Sequence, residues 1–445
     1  MGSKRLKKTL VSVVLDLALI ASALLGCGVQ NPQPDKNEAV TESAAEGITG
    51  NVTEKRTDIN LETIRVATWY DNSYTSNLRA YLARRFPNYK IEFVYIDKAH
   101  YEPIIDAQFT FKGAPDIIYV DQVMARKNAR NGNIAPLTVY CNNFETESLE
   151  AFWYDKDTYA VPSTSCFECI YLNKGLFDKY GIKEPHNIDE FIEMCDFIRI
   201  GKRMKPLSAG MIDYEAVSSS AQSILQVNFF GTEYGSGFGA RIKEGRSIFH
   251  NDLNEHLGEW ERLLKHQIFT ADMYTMDKQA AIAEFVAEES FMLIGGPEDY
   301  NRIRVANPKM ELGTLPTGWG KNGPIMIGGC NCGFAVNASS INIDAAKEVV
   351  ASLANYEGQF AIWKDRVGSR SYLRKTTFDN PVAFEGIEEV FEKNQLYMPV
   401  LEWGDSGSDI NMIFGKELQQ VLLGKEPINM ALMQVDIKVN NMYDK

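Results

Sequence analysis

Apolar and polar positions in this chain follow two alternating periods. Ile64 to Trp69 (IRVATW), Lys90 to Ile96 (KIEFVYI) and Asp116 to Asp121 (DIIYVD) are short runs rich in β-branched and aromatic residues, the composition of strands. The last two are nearly continuous in apolar residues, which predicts strands covered on both faces. Between the first two runs, Leu78, Tyr81, Leu82 and Phe86 recur at helical spacing until Pro87 stops the helix. Strand alternating with helix predicts a parallel α/β sheet. In such sheets a ligand sits beyond the carboxyl ends of the strands, where Trp69, Tyr70, Asp71 and Asp121 fall.

The pattern then changes. Tyr159 to Tyr171 reads as one extended segment, with Pro162 marking an irregular entry. Asn187 is placed to cap an amphipathic helix, and Glu190 to return the bond as in a capping box. Helices are predicted near 218–230, 253–264 and 277–288, and again after Asn342, which should cap a helix buried through Ala346, Val349, Val350 and Leu353. Phe291 to Ile294 is a short buried strand, Met326 to Val336 another extended segment, and the tail from Leu418 is helical. Gly231 to Gly245 reads as a loop. Its Gly-Ser-Gly-Phe-Gly-Ala fits a dinucleotide pattern, but no apolar strand precedes it and no clear helix follows, so no cofactor is expected.

Length and charge narrow the picture. A chain of 445 residues exceeds one ordinary domain, which predicts two lobes. A net charge of −13 argues against a nucleic-acid partner, because phosphate binding needs a basic surface. Lys4, Arg5, Lys7 and Lys8 precede an apolar run too short to span a membrane comfortably, the layout of a signal peptide over residues 1–26. The run ends in Leu24-Leu25-Gly26-Cys27, which resembles the lipobox of bacterial lipoproteins and implies a lipid (palmitate) anchor on Cys27. Residues 27–61 are polar, with scattered Pro and Gly, as in a flexible tether.

Several landmarks occur in a familiar order: IRVATWYDN, FPNYKIEFVYID, GAPDIIYVD, YAVPSTSCFECIYLNKGLFDKYGI, NIDEF, GGPEDYNRIRVANP, AAKEVVASLANYEGQFAIW and VLLGKEPINMAL. Together they resemble the extracellular solute-binding proteins of ABC transporters, in the carbohydrate group that includes maltose-binding protein. The resemblance covers about residues 62–445. It implies an α/β, two-lobed periplasmic-binding-protein-like fold of type II, with each lobe a mixed sheet flanked by helices. By analogy the N-lobe takes 62–165 plus 333–398 and the C-lobe 166–332 plus 399–445. It also implies a monomer, anchored on the outer face of the membrane, that binds a small solute and delivers it to permease subunits without chemical change. The alternatives are an extracytoplasmic carbohydrate-active enzyme and a partner that presents ligand to a membrane sensor.

Sugar-type ligands need aromatic faces against their C–H faces and polar groups for their hydroxyls. The candidates are Trp69, Tyr70, Asp71, Asp121, Glu168, Glu298, Arg370 and Trp403. Glu298 stands where the family often has Trp, which points to a more polar or cationic ligand. Six of them have a structural alternative: core packing for Trp69 and Trp403, helix capping for Asp71 and Asp121, a helix-dipole acid for Glu298, and a solvated or paired hinge residue for Glu168.

The spacing Cys166-x-x-Cys169 permits a zinc ligand pair, but Cys330-x-Cys332 is not its usual partner, and no metal is expected. On a strand, Cys166 and Cys169 would lie about 10 Å apart on opposite faces, too far for a disulfide. Family topology makes the two cysteine segments neighbouring hinge strands. One cross-strand disulfide between Cys166 or Cys169 and Cys330 or Cys332 is then expected, with free thiols as the alternative.

Overall fold

The protein is described here from a computed structural model covering residues 61–443. The signal peptide, Cys27 and the tether lie outside the described residues. Two principal sheets are built from strands β1 (Glu62–Thr68), β2 (Tyr89–Tyr95), β3 (Ile117–Asp121), β4 (Val161–Pro162), β5 (Cys169–Asn173), β6 (Lys205–Ser208), β7 (Ser290–Gly295), β8 (Leu312–Leu315) and β9 (Cys332–Val336). The first has the order β2-β1-β3-β9-β4 and the second β8-β5-β7-β6. The helices that bear on the space between them are α1 (Ser76–Arg85), α2 (Lys98–Thr110), α3 (Gln122–Arg130), α4 (Tyr214–Leu225), α5 (Lys278–Val286), α6 (Asp299–Ala306), α7 (Tyr356–Asp365) and α8 (Gly407–Leu422).

The parallel sheet foreseen from the alternation holds for β1, β2 and β3. β9 then arrives from far along the chain and runs antiparallel to both β3 and β4, so the sheet is mixed. β3 sits inside the sheet, and its Ile117, Ile118, Tyr119 and Val120 are all buried. The expectation that β2 is covered on both faces fails. It pairs with β1 alone, at the sheet edge, and none of its residues is fully buried. Apolar composition alone does not separate an edge strand from a central one. The second sheet is also mixed, with β7 parallel to β6 and antiparallel to β5.

The segment from Tyr159 to Tyr171 is not one strand. It gives β4 to the first sheet, a two-residue strand at Cys166–Phe167, and β5 to the second sheet. Cys166 and Phe167 pair antiparallel with Gly329 and Gly328 of the strand Gly323–Gly329. The chain therefore leaves the first sheet and returns to it through two adjacent segments. A core of Ile64, Val66, Ile118 and Phe334 lies beneath the first sheet, and one of Leu172, Phe229, Trp260 and Phe414 beneath the second. A third cluster, including Phe167, Tyr171, Met326 and Phe384, lies around the crossing. The turns over Val382–Ile387, grouped by analogy with the N-lobe, belong to this third cluster, and Ala383 O accepts a 2.9 Å bond from Thr314 Oγ1 of β8.

Other local expectations divide. Asn187 Oδ1 accepts from Glu190 N at 2.9 Å, while Glu190 returns its bond to His186 N at 2.8 Å, one residue earlier than a strict capping box. Asn342 makes no capping bond to its helix; its Nδ2 donates instead to Thr63 O. The Gly231–Gly245 loop contains a short helix, Phe238–Lys243.

α1 takes its cap from a distant element. The buried carboxylate of Asp365, at the end of α7, accepts from the backbone N–H groups of Asn77 and Leu78, both at 2.9 Å. A helix N-terminus favours such an anion, because its N–H groups have no intrahelical acceptors. Asp365→Ala leaves those donors buried without a partner and is expected to cost about 2 kcal/mol, measured as a lower urea midpoint with an unchanged slope.

Candidate functional site

Beyond the carboxyl ends of β1 and β3 opens a cleft of about 400 Å³, walled on the other side by residues of the second sheet and its helices. Trp69 and Tyr70 follow β1 and form an aromatic wall with Tyr74. The Trp69 ring packs 4.7 Å from Tyr119 and edge-on to Tyr101, and Tyr70 packs 5.7 Å from Tyr119 and 5.8 Å from Tyr74. Each wall ring is thus half-buried and braced from behind. The buried Arg366 lies behind them, its guanidinium 4.5 Å from the Tyr70 ring centre and 5.5 Å from that of Tyr119, a cation–π arrangement.

Helix starts supply most of the polar lining, because their first residues project from the strand ends. Asp121 accepts from Met124 N at 2.8 Å at the start of α3, and Asp213 accepts from Glu215 N at 2.9 Å at the start of α4. Lys98, the first residue of α2, is ion-paired with Glu215 across the cleft. Lys278, the first residue of α5, lies 2.7 Å from Glu298 and 3.1 Å from the buried Asp299. A second bridge between the two sides runs from Arg302 of α6 to Tyr74 Oη and, at 3.7 Å, to Asp71.

Glu168 sits at the crossing itself. Its backbone N–H donates to Ile327 O at 2.9 Å, but its carboxylate has neither a hydrogen bond nor an ion pair among the described residues. Burial pushes it up to about 8; Lys278 opposes this, while Asp213, Glu215 and Glu298 add to it. Burial also pushes Asp121 up to about 6, against the Met124 N–H bond. Burial acts upward on Glu298 too, but Lys278 outweighs it and holds that carboxyl below its ordinary range.

The sequence candidates therefore separate. Trp69, Tyr70, Asp121, Glu168 and Glu298 line the cleft. Asp71 does not. It caps the turn Asn72–Tyr74 through Ser73 N at 2.7 Å, and despite partial burial the Ser73 bonds and Arg302 hold its carboxyl low. Arg370 lies off the cleft, bonded to Glu145 at 2.5 Å and to Asn394 at 3.1 Å. Trp403 is a correction: it is 1% exposed, packed 5.6 Å from Phe249 and 6.0 Å from Phe414 in the second core. Polar neighbours in sequence suggested a loop platform, but the turn folds its indole inward. Tyr74, Lys98, Asp213, Glu215, Gln222 and Lys278 were not singled out. Lys98 follows the end of β2, so the strand-end rule that selected Trp69 could have found it. Tyr74, in the turn just after β1, was within reach of the same rule, whereas Asp213, Glu215, Gln222 and Lys278 come from α4 and α5, whose orientation no local pattern encodes.

The cysteine segments are neighbours, but the expected disulfide is absent: Cys141, Cys166, Cys169, Cys195, Cys330 and Cys332 are free thiols. Cys166 and Cys332 both line the cleft, where Cys166 Sγ donates to Gly329 O at 3.6 Å; the proximity of the two thiols lowers Cys166 and raises Cys332. Cys330 and Cys169 are buried in different clusters. No group of three metal-binding side chains occurs among the described residues.

Glu168 allows a direct test of the electrostatics. An acid whose native pKa is raised makes the native state lose stability between its ordinary value of 4.5 and about 8, because the unfolded chain ionises first. Glu168→Gln removes this titration. Its melting temperature relative to the parent is expected to be constant at acid pH, to rise through that window, and to level off above it.

The model of the bacterial extracellular solute-binding protein family matches residues 77–370. A multiple sugar-binding protein of Streptococcus mutans is 22% identical over 294 residues, 64% of this chain and 66% of that relative, just under two thirds of its length. Among solved structures, RafE in complex with raffinose aligns with a TM-score of 0.72 at 17% identity, over 85% of this chain and 99% of its own. Maltose-bound MalE3 of T. maritima aligns with a TM-score of 0.70 at 16% identity, over 85% and 99%. The fold is the two-lobed type II arrangement of these proteins.

Proposed function

Because this chain belongs to the bacterial extracellular solute-binding proteins, we propose that it captures a carbohydrate in the cleft and delivers it to an ABC permease. The lobes in this reading are 62–165 plus 333–398 and 166–332 plus 399–445, closing on the ligand by hinge motion at the paired crossing segments. Cys27 carries the lipid that holds the protein at the outer face of the membrane. The observation that carries the reading is the aromatic wall of Trp69, Tyr70 and Tyr74, which shares one cleft with carboxylates, lysines and the Gln222 amide. That combination offers stacking surface for sugar C–H faces and hydrogen-bonding groups for hydroxyls. The sugar-binding relative and the raffinose and maltose complexes support the ligand class.

The test is a thermal-shift and calorimetric screen against neutral oligosaccharides, because a ligand that binds only the native state raises the melting temperature. Saturable binding is expected, with the sugar recovered unchanged after long incubation; a cleaved or modified product would overturn the transport reading in favour of an enzyme. Trp69→Ala is expected to weaken binding by about tenfold, a loss of roughly 1.4 kcal/mol. For the anchor, Cys27→Ala is expected to move the exported protein from the membrane to the soluble fraction.

A further inference from the structure

The charges in the cleft do not balance. Five carboxylates line it (Asp121, Glu168, Asp213, Glu215 and Glu298) against two ammonium groups. Both ammonium groups are engaged, Lys98 with Glu215 and Lys278 with Glu298 and Asp299. Asp121 and Asp213 each have a helix N–H. Glu168 has nothing. It lies on the crossing strands rather than at a helix start, so no dipole compensates it either.

A second observation is independent of the acids. Gln222, 2% exposed, also lines the cleft; its Nε2 donates to Ser218 Oγ at 2.8 Å and to Asn411 Oδ1 at 2.9 Å. Those bonds orient the amide and leave its Oε1 with no partner. A buried acceptor without a donor is destabilising until something donates to it. The cleft is therefore short of donors and of positive charge at once. Neutral hydroxyls would supply the donors but leave Glu168 facing Asp213, Glu215 and Glu298, with only Lys278 opposed to them. A protonated amine supplies both, and the aromatic wall accepts a cation or a sugar face equally well.

We propose that the ligand is an amino sugar or an oligosaccharide bearing a protonated amine, with the ammonium held at Glu168 and a ligand donor satisfying Gln222 Oε1. The proposal rests on the carbohydrate reading above and narrows it. An ammonium at Glu168 favours the ionised carboxylate, which burial raises to about 8 in the free protein, so binding near neutral pH releases a proton.

The experiment titrates the full chain calorimetrically with raffinose, maltotriose and a xylan-derived oligomer. Each is offered as the neutral sugar and with one primary or terminal hydroxyl replaced by an amine, and spermidine is added as a cation without a sugar. The expected result is an aminated sugar bound about tenfold or more tightly than its neutral parent. Its apparent heat should differ between buffers of unlike ionisation enthalpy, as proton release requires, and Glu168→Gln should remove the preference and the proton release together. Neutral and aminated forms bound equally would overturn the inference and leave the carbohydrate reading intact. Spermidine bound in place of every sugar would overturn both, as would no binding by any probe. Should Glu168→Gln fold poorly, the buffer dependence measured on the unmodified protein still decides the matter.

Discussion

The short antiparallel pairing of Cys166–Phe167 with Gly328–Gly329 is the constraint on which the rest of the molecule depends. It holds together the segment that leaves the first sheet and the one that returns. On one side of it β9 lies between β3 and β4, and on the other β5 lies inside the second sheet. It also fixes Glu168 and Cys166 at the base of the cleft, because both belong to the paired segment. A two-residue ladder offers few backbone bonds to resist bending. The third apolar cluster, with Phe167, Tyr171, Met326 and Phe384, surrounds the joint and excludes water from it.

Around that joint, packing and electrostatics work against each other. The aromatic wall needs Trp69 and Tyr70 half-exposed, and it keeps them in place by bracing them against Tyr101, Tyr119 and the buried Arg366. The same burial raises the cost of ionising Asp121 and Glu168. Lys278 opposes this at Glu168 but outweighs it at Glu298, to which it is bonded. The cleft is thus rigid on its aromatic side and charge-frustrated on its acidic side. Across the opening, Lys98 with Glu215 and Arg302 with Tyr74 join the two sides through exposed or half-exposed groups. Bridges of that kind are individually weak and therefore separable.

Some of this was legible along the chain. The runs of β1 and β3, the Pro-stopped helix between β1 and β2, and the placement of Trp69, Tyr70 and Asp121 at strand ends all follow from local period and composition. These succeed because burial of a strand or a helix face is written in neighbouring residues. Trp403 and Arg370 failed for the opposite reason. Their surroundings in sequence are polar, but Phe249, Phe414, Glu145 and Asn394, which decide their roles, are remote in the chain.

By itself the sequence determined the alternation of elements and the placement of aromatic and acidic residues at strand ends, because each depends on residue type and short-range spacing. The two-lobed class followed from length and from the order of the family landmarks. Only the tertiary structure decided that β2 lies at an edge and that β9 runs antiparallel in the first sheet. It alone showed Asp365 capping α1, Lys278 neutralising Glu298, and Glu168 left uncompensated at the crossing. Each of these depends on which distant groups are brought within a few ångströms, and on how much water is removed when they meet.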